Sequence, residues 1–331
     1  MDEHGWNPGR LLEMSGSYWR VCALHASVKL GVFSVLGDEK LTGEDVAREL
    51  NSDERAMTML LNALTAMNLL SKIGGRYSNT AASRSFLVKD SPQYVGHMIM
   101  HHYHLMAAWS RLDEAVKTGK PVRTRASFDD EKVRESFLMG MFNMAMNLAP
   151  QLAKEIDLSG RRRLLDLGGG PGTYAIHFCM RNADLKATLY DLSTTRPFAE
   201  KVIAQFGMTD RIDFVAGNYL QDAIGGAYDV VWLSHILHAE GPEECQTIVN
   251  KAVSALDPGG MILVHDFILN DAKEGPPFPA LFSLNMLLGT ERGRSYSEGE
   301  ITAMLARAGV RRIQRLPFRG PTDSGIILGM V

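Results

Sequence analysis

The chain has 331 residues, 45% hydrophobic and 22% charged, with a formal net charge of −3. That length suits two domains or one large one, and the faintly acidic balance argues against a nucleic-acid or anionic-membrane surface. Cys22, Cys179 and Cys245 lie far apart without metal-ligand spacing, no apolar run is long enough to span a bilayer, and the polar start lacks a signal-peptide pattern. These features read as a reduced, cytoplasmic protein.

Residues 10–36 carry Leu11, Leu12, Trp19, Val28, Phe33 and Leu36 at helical spacing, a surface too apolar for a lone helix and one that a partner would cover. Thr42 caps a short helix with Glu44 and Asp45 in its first turn. A second helix runs over 55–70, and Ile73-Gly-Gly-Arg-Tyr77 reads as a hairpin. Helix, helix, hairpin is the winged-helix pattern, assigned here to residues 1–113.

A winged helix raises DNA binding, which requires cations and amides on the recognition helix. The candidate helix has Arg55 as its one basic residue, and most of the rest is Met, Leu and Ala. Phosphate contacts dominate affinity, so an interaction module forming a homodimer through residues 10–110 fits better.

His101, His102 and His104 come next. Adjacent His101 and His102 point to different helix faces, and no carboxylate or cysteine sits nearby. Packing, or His104 lining an aromatic pocket, is preferred to a metal. Residues 114–160 form a helical linker, polar over 125–132 and interrupted near Pro150. Met139, Met141, Met144 and Met146 give it thioethers that adapt to flat ligands, although such stripes also serve as core.

From 161 to 331 strands and helices alternate, which predicts a parallel sheet with helices on both faces. The first strand ends in Asp166-Leu-Gly-Gly-Gly-Pro-Gly172. Gly168, Gly169, Gly170 and Gly172 let the backbone bend and a ligand approach closely, and the following helix N-terminus points into the same space. No Gly-Lys-Ser/Thr follows, which excludes a P-loop, and the third glycine of a dinucleotide fingerprint would fall on Thr173. Asp166 would repel a phosphate and attract a cation or a donor, so a nucleoside with a positive end suits the loop.

Further strands are expected at 186–191, 212–216, 228–235, 261–266, 312–316 and 325–330. Ligands of such sheets bind beyond the strands' carboxyl ends, where Asp166, Asp191, Asn218, Ser234, His235 and Asp266 all fall. Asp191 suits ribose hydroxyls. Asn218 suits adenine, or is simply a turn residue after Gly217, and Tyr219 could cover the base.

The D-x-G-x-G-x-G spacing resembles the first motif of the S-adenosyl-L-methionine (SAM) methyltransferases. With Asp191, Gly217-Asn218-Tyr219, the segment His238 to Cys245 and Asp257-Pro-Gly-Gly260, almost the whole chain resembles the small-molecule O-methyltransferases of plants and bacterial natural-product pathways. That resemblance implies an α/β fold: a Rossmann-like class I methyltransferase sheet with an N-terminal, mostly helical winged-helix dimerisation domain. It also implies SAM as cofactor, no metal, and a small-molecule acceptor. It puts the catalytic histidine on His238, a flanking carboxylate on Asp266, and adenosyl contacts on Gly168, Asp191, Asn218, Tyr219 and Ser234, with Asp166 and Gly170 in the same loop. His235 would line the cofactor site, and Met146 and Met286 the acceptor pocket. Ala239-Glu240 replaces a usual Asp-Trp, Asn218 a usual aspartate and Ser234 a lysine of the plant enzymes, while Ser295 stands nearest a missing second glutamate.

The reaction so implied is an in-line displacement in which the protein aligns acceptor, methyl and sulfur. A phenol titrates near ~10 and an imidazole near ~6.5 in reference compounds, so His238 would take the hydroxyl proton. Methyl transfer to carbon or nitrogen, another SAM-dependent reaction, and a non-catalytic SAM-binding regulator are the alternatives.

Overall fold

The computed structural model describes residues 5–331. Its chain divides into two compact units, one ending at His104 and one spanning Leu105–Val331. The division falls inside the helix Gly96–Trp109, ahead of the sequence boundary at 113.

In the first unit the apolar 10–36 run becomes three helices, Pro8–Gly16, Tyr18–Leu30 and Val32–Leu36. Gly31 separates the last two with a φ of 82°, the left-handed conformation that ends helices and that glycine adopts without a Cβ penalty. Thr42 caps Gly43–Glu49 in a capping box closed by Asp45, satisfying two otherwise orphaned N–H groups. Glu54–Ala66 leads into the hairpin of β1 (Leu70–Ile73) and β2 (Arg76–Asn79). Val32, Phe33, Leu36, Met57, Leu61 and Leu64 form the core of this unit; each such side chain withdrawn from water contributes roughly 1.5–3 kcal/mol. The other half of the N-terminal stripe does not join it: Leu12 is 73% and Trp19 70% exposed.

The second unit is built on a seven-stranded sheet of β3 (Arg163–Leu167), β4 (Lys186–Asp191), β5 (Ile212–Ala216), β6 (Tyr228–Ser234), β7 (Leu256–Phe267), β8 (Arg311–Arg315) and β9 (Ser324–Met330). Their spatial order is β5-β4-β3-β6-β7-β9-β8, parallel from β5 to β7, with β9 antiparallel to both its neighbours. The chain runs outward from β3 to β5 and returns to β6, so the order reverses between β3 and β6. Such a switch point opens the crevice in which α/β sheets bind ligands.

Side-chain alternation sends Leu164, Val230 and Trp232 to one face and Leu165, Leu167, Val231 and Leu233 to the other. Helices Ala149–Glu155, Thr173–Arg181 and Arg196–Gln205 cover the first face, and Pro242–Ser254 and Glu298–Arg307 the second.

The interruption expected near Pro150 falls between the helices Glu131–Met146 and Ala149–Glu155, with Pro150 in the first turn of the second, where its missing N–H costs nothing. Other local details differ from the sequence reading: the helix expected over 55–70 ends at Ala66, and Leu70 opens β1. The strand expected from 261 begins at Leu256, because Tyr228 pairs with Leu256 and Val230 with Met261 across an irregularity. The strand expected at 228–235 stops at Ser234, since His235 turns to a φ of 58°. Among the described residues no helix is long and apolar enough to cross a membrane.

Candidate active site

At the end of β3 the chain turns through Gly168 and Gly170, with φ of 70° and 56°. A Cβ on Gly168 would lie 2.3 Å from Cδ1 of Ile236, so both conformation and space demand glycine there. The helix Thr173–Arg181 then starts on Gly172 without a side-chain cap, leaving its N-terminal N–H groups directed at the crevice.

Asp166 is fully buried, and neither carboxylate oxygen makes a well-formed hydrogen bond among the described residues. Burial pushes its carboxyl up to about 7, opposed by the nearby Ala175 N–H and reinforced by Asp191. A buried acid without a counter-charge is costly, and a cationic ligand group would relieve it. Asp191 is held differently. Gly170 N–H donates to its Oδ2 at 2.8 Å, and Leu192 N–H and the Thr195 hydroxyl donate to Oδ1 at 2.7 and 2.9 Å. Burial raises this carboxyl too, against those three donors. Oδ2, which accepts only the Gly170 N–H, retains lone-pair capacity for a ribose hydroxyl. The loop glycines, Asp166 and Asp191 therefore fit the cationic and ribose parts of SAM.

Asn218 has the turn geometry weighed above: its Oδ1 accepts from Leu220 N–H at 2.9 Å, while its own N–H donates to Asp222 Oδ2 at 2.8 Å. Lys251 donates to the carbonyls of Tyr219, Leu220 and Asp222 at 3.1, 2.8 and 2.7 Å, so this turn is fastened from behind. Tyr219 Cε1 lies 3.8 Å from the position a Cβ would take on Gly168, against the glycine loop. Its hydroxyl donates to Glu240 Oε1 at 3.0 Å. Burial, and then Glu240, raise its pKa well above the tyrosine norm.

At the end of β6, Ser234 Oγ sits 3.0 Å from Nδ1 of His265, a fully buried imidazole that burial and His235 keep neutral. The turn Leu237–Ala239 carries His238, 8% exposed. Its Nδ1 is 2.6 Å from Asp266 Oδ1, and that oxygen also accepts the Phe267 N–H at 2.8 Å. Burial alone would raise the Asp266 carboxyl, but His238 and His235 outweigh it and hold it well below the usual carboxylate range. A proton on Nδ1 facing a carboxylate leaves the Nε2 lone pair free, the tautomer a proton acceptor needs.

His235 turns its Nδ1 to the same oxygen at 3.6 Å. The ligating atoms of His235, His238 and Asp266 lie within 4.8 Å of one another, a set able to hold a metal ion; in the geometry seen here the carboxylate is engaged by His238.

Phe282 meets His238 edge-on at 4.8 Å between ring centroids, and Phe267 packs against both His235 and Phe282 at 4.4 and 4.6 Å. Met286 is buried and lies one turn beyond Phe282 on Pro277–Gly289, so Phe278, Phe282 and Met286 share one helix stripe. Met146 ends its helix half-buried. Ser295 is buried, and its N–H donates to the Ser283 hydroxyl. His104, half-buried beside Tyr103 at 5.4 Å, belongs to the other compact unit.

The sequence draws the acceptor pocket in part from residues 278–288, which includes Phe278 and Phe282, but gives no sign of Phe267 beside them or of the pairing of Arg125 with Glu240 at 2.8 Å. The latter had no signal beyond a lone arginine in a polar connector.

A family model described as the O-methyltransferase domain matches residues 109–311, and one described as the O-methyltransferase dimerisation domain matches residues 12–89. The chain is similar to the 3-hydroxy-5-methyl-1-naphthoate 3-O-methyltransferase of Streptomyces sahachiroi, at 34% identity over 98% of this chain and 95% of that protein. Similarity to the tetracenomycin polyketide synthesis 8-O-methyl transferase of Streptomyces glaucescens is 30% over 98% and 97% of the two chains. Human N-acetylserotonin methyltransferase, solved in complex with SAM, superposes with a TM-score of 0.87 at 25% identity, covering 100% of this chain and 99% of that one.

Proposed function

This chain belongs to the O-methyltransferase family and is a SAM-dependent O-methyltransferase, and we propose that it methylates a phenolic hydroxyl of a small, flat, apolar acceptor with His238 as general base. SAM supplies a methyl group already activated on a sulfonium. The work left to the chain is to align the acceptor and to take its proton.

The observation that carries this reading is the buried His238–Asp266 pair at 2.6 Å beside Phe282. Asp266 orients the ring and stabilises its charged form, so Nε2 accepts the hydroxyl proton as the oxygen becomes nucleophilic. The faces of Phe267, Phe278 and Phe282 suit an aromatic molecule by offset or edge-on packing. Asp166, Gly168, Gly170, Asp191, Asn218, Tyr219, Ser234 and His235 are assigned to the SAM side of the crevice, and Met146 and Met286 to the acceptor side. The naphthoate and polyketide acceptors in the names of the Streptomyces relatives agree with that class.

His238→Ala is expected to retain SAM affinity and lose ~10²–10⁴-fold in turnover of a phenol from a panel of phenols, quinols and polyketides; unchanged turnover removes the base assignment. We further assign a cytoplasmic homodimer, closed over the exposed face bearing Leu12 and Trp19. Light scattering should return twice the chain mass, and a monomer contradicts it.

A further inference from the structure

We propose that Arg125 is a positioning residue for methyl transfer, holding through Glu240 both the turn that presents His238 and the tyrosine that walls the SAM site. The proposal rests on the assignment of this crevice to SAM and of His238 to proton transfer.

Arg125 precedes the short helical turn Ala126–Phe128 in the polar connector. Its Nη1 donates to Glu240 Oε1 at 2.8 Å, and its Nη2 donates to the carbonyl of Ala239. The same Oε1 accepts the Tyr219 hydroxyl at 3.0 Å. Three stretches remote in sequence thus meet at one carboxylate oxygen: the connector, the turn after β6 and the turn after β5.

The Glu240 side chain is 9% exposed and that of Arg125 26%. A charge pair so shielded keeps much of its attraction, and deleting one member strands the other. Arg125 keeps its proton more firmly than a free guanidinium, because Glu240 outweighs the cost of burial.

Both arms of the tie reach the reaction. Glu240 lies two residues after His238 in a turn that is also fastened by the His238 N–H and ring on Asp266 at 3.4 and 2.6 Å, by the Tyr296 hydroxyl on the Glu240 carbonyl at 2.7 Å and by the Cys245 thiol on the Leu237 and Glu240 carbonyls at 3.1 and 3.6 Å. None of these touches the Glu240 side chain or the Ala239 carbonyl, which Arg125 grips. On the other arm, the Tyr219 hydroxyl bond keeps that ring against Gly168. If the guanidinium is removed, the unpaired Glu240 carboxylate turns toward water and releases Tyr219. Ala239-Glu240 is also the pair at which this segment departs from the pattern it resembles.

The test uses the full chain carrying Arg125→Ala, Arg125→Lys, Glu240→Gln, or Arg125→Ala with Glu240→Gln. SAM affinity is read by calorimetry, kcat with labelled SAM on a phenol accepted by the unmodified protein, and folding by thermal melting. Arg125→Ala should weaken SAM binding by about tenfold and lower kcat by a similar factor. Adding Glu240→Gln should recover most of the SAM affinity, because a neutral amide oxygen still accepts the Tyr219 hydroxyl without needing a cation. Arg125→Lys should bind SAM nearly normally while kcat stays low, since a point charge cannot span Glu240 and Ala239 as the guanidinium fork does. The proposal is overturned if Arg125→Ala only lowers the melting temperature and leaves SAM affinity and kcat in place, or if the double variant binds no better than Arg125→Ala. His238→Ala, measured alongside, reports on the base assignment alone, because it leaves the Arg125 tie intact.

Discussion

Two buried aspartates sit at strand ends on either side of β6, and the chain treats them in opposite ways. Asp166, on β3, has no well-formed hydrogen bond to either oxygen, and burial pushes it up to about 7 against the nearby Ala175 N–H. Asp266, on β7, receives the His238 ring at 2.6 Å and the Phe267 N–H at 2.8 Å and is held well below the carboxylate range. Similar depth therefore produces a poised acid at one end of the crevice and a permanent anion at the other. The difference lies in what the protein itself supplies: Asp266 already has an imidazole N–H partner in His238, whereas Asp166 is left for a ligand to satisfy.

Neutralising Asp266 should produce the larger effect. Asp266→Asn keeps the shape but can no longer stabilise a charged His238, and a kcat drop of roughly 10²-fold is expected, with SAM affinity unchanged. A variant as fast as the parent would erase the contrast.

Asp166→Asn should act on binding, weakening SAM by about tenfold while kcat at saturation holds. The pH dependence carries its sign. The ionised carboxylate favours the cation, and in the free protein this form is gained as pH rises through about 7. SAM affinity should therefore climb across that window and level off above it, whereas Asp166→Asn should be flat there. Calorimetric titrations between pH 6 and pH 8.5 would sharpen or break the assignment.

The glycine loop, the strand–helix alternation and the carboxylates at the strand ends were legible because each is a local pattern: a turn chemistry, a period or a terminus. His238 and Asp266 were legible as members of a motif, but their 2.6 Å contact, and the sharing of one oxygen with His235, depend on β6 and β7 pairing in a particular register. The Arg125–Glu240 tie spans 115 positions, a separation at which sequence spacing carries no geometry. The direction of β9 was equally hidden, since an apolar run of period two reads the same parallel or antiparallel. Asn218 shows a residue for which two readings compete on one atom: its side-chain oxygen closes a turn. The break between Met146 and Ala149 was anticipated through Pro150, yet it falls just ahead of the proline, which serves the next helix as a starter.

The unsatisfied Asp166 also bears on the heat of association. A carboxyl raised to about 7 is partly protonated at neutral pH, and pairing it with a sulfonium ligand expels that fraction into the buffer. The apparent enthalpy will then differ between phosphate and Tris in proportion to their ionisation heats, so a buffer comparison counts the released proton independently of any turnover.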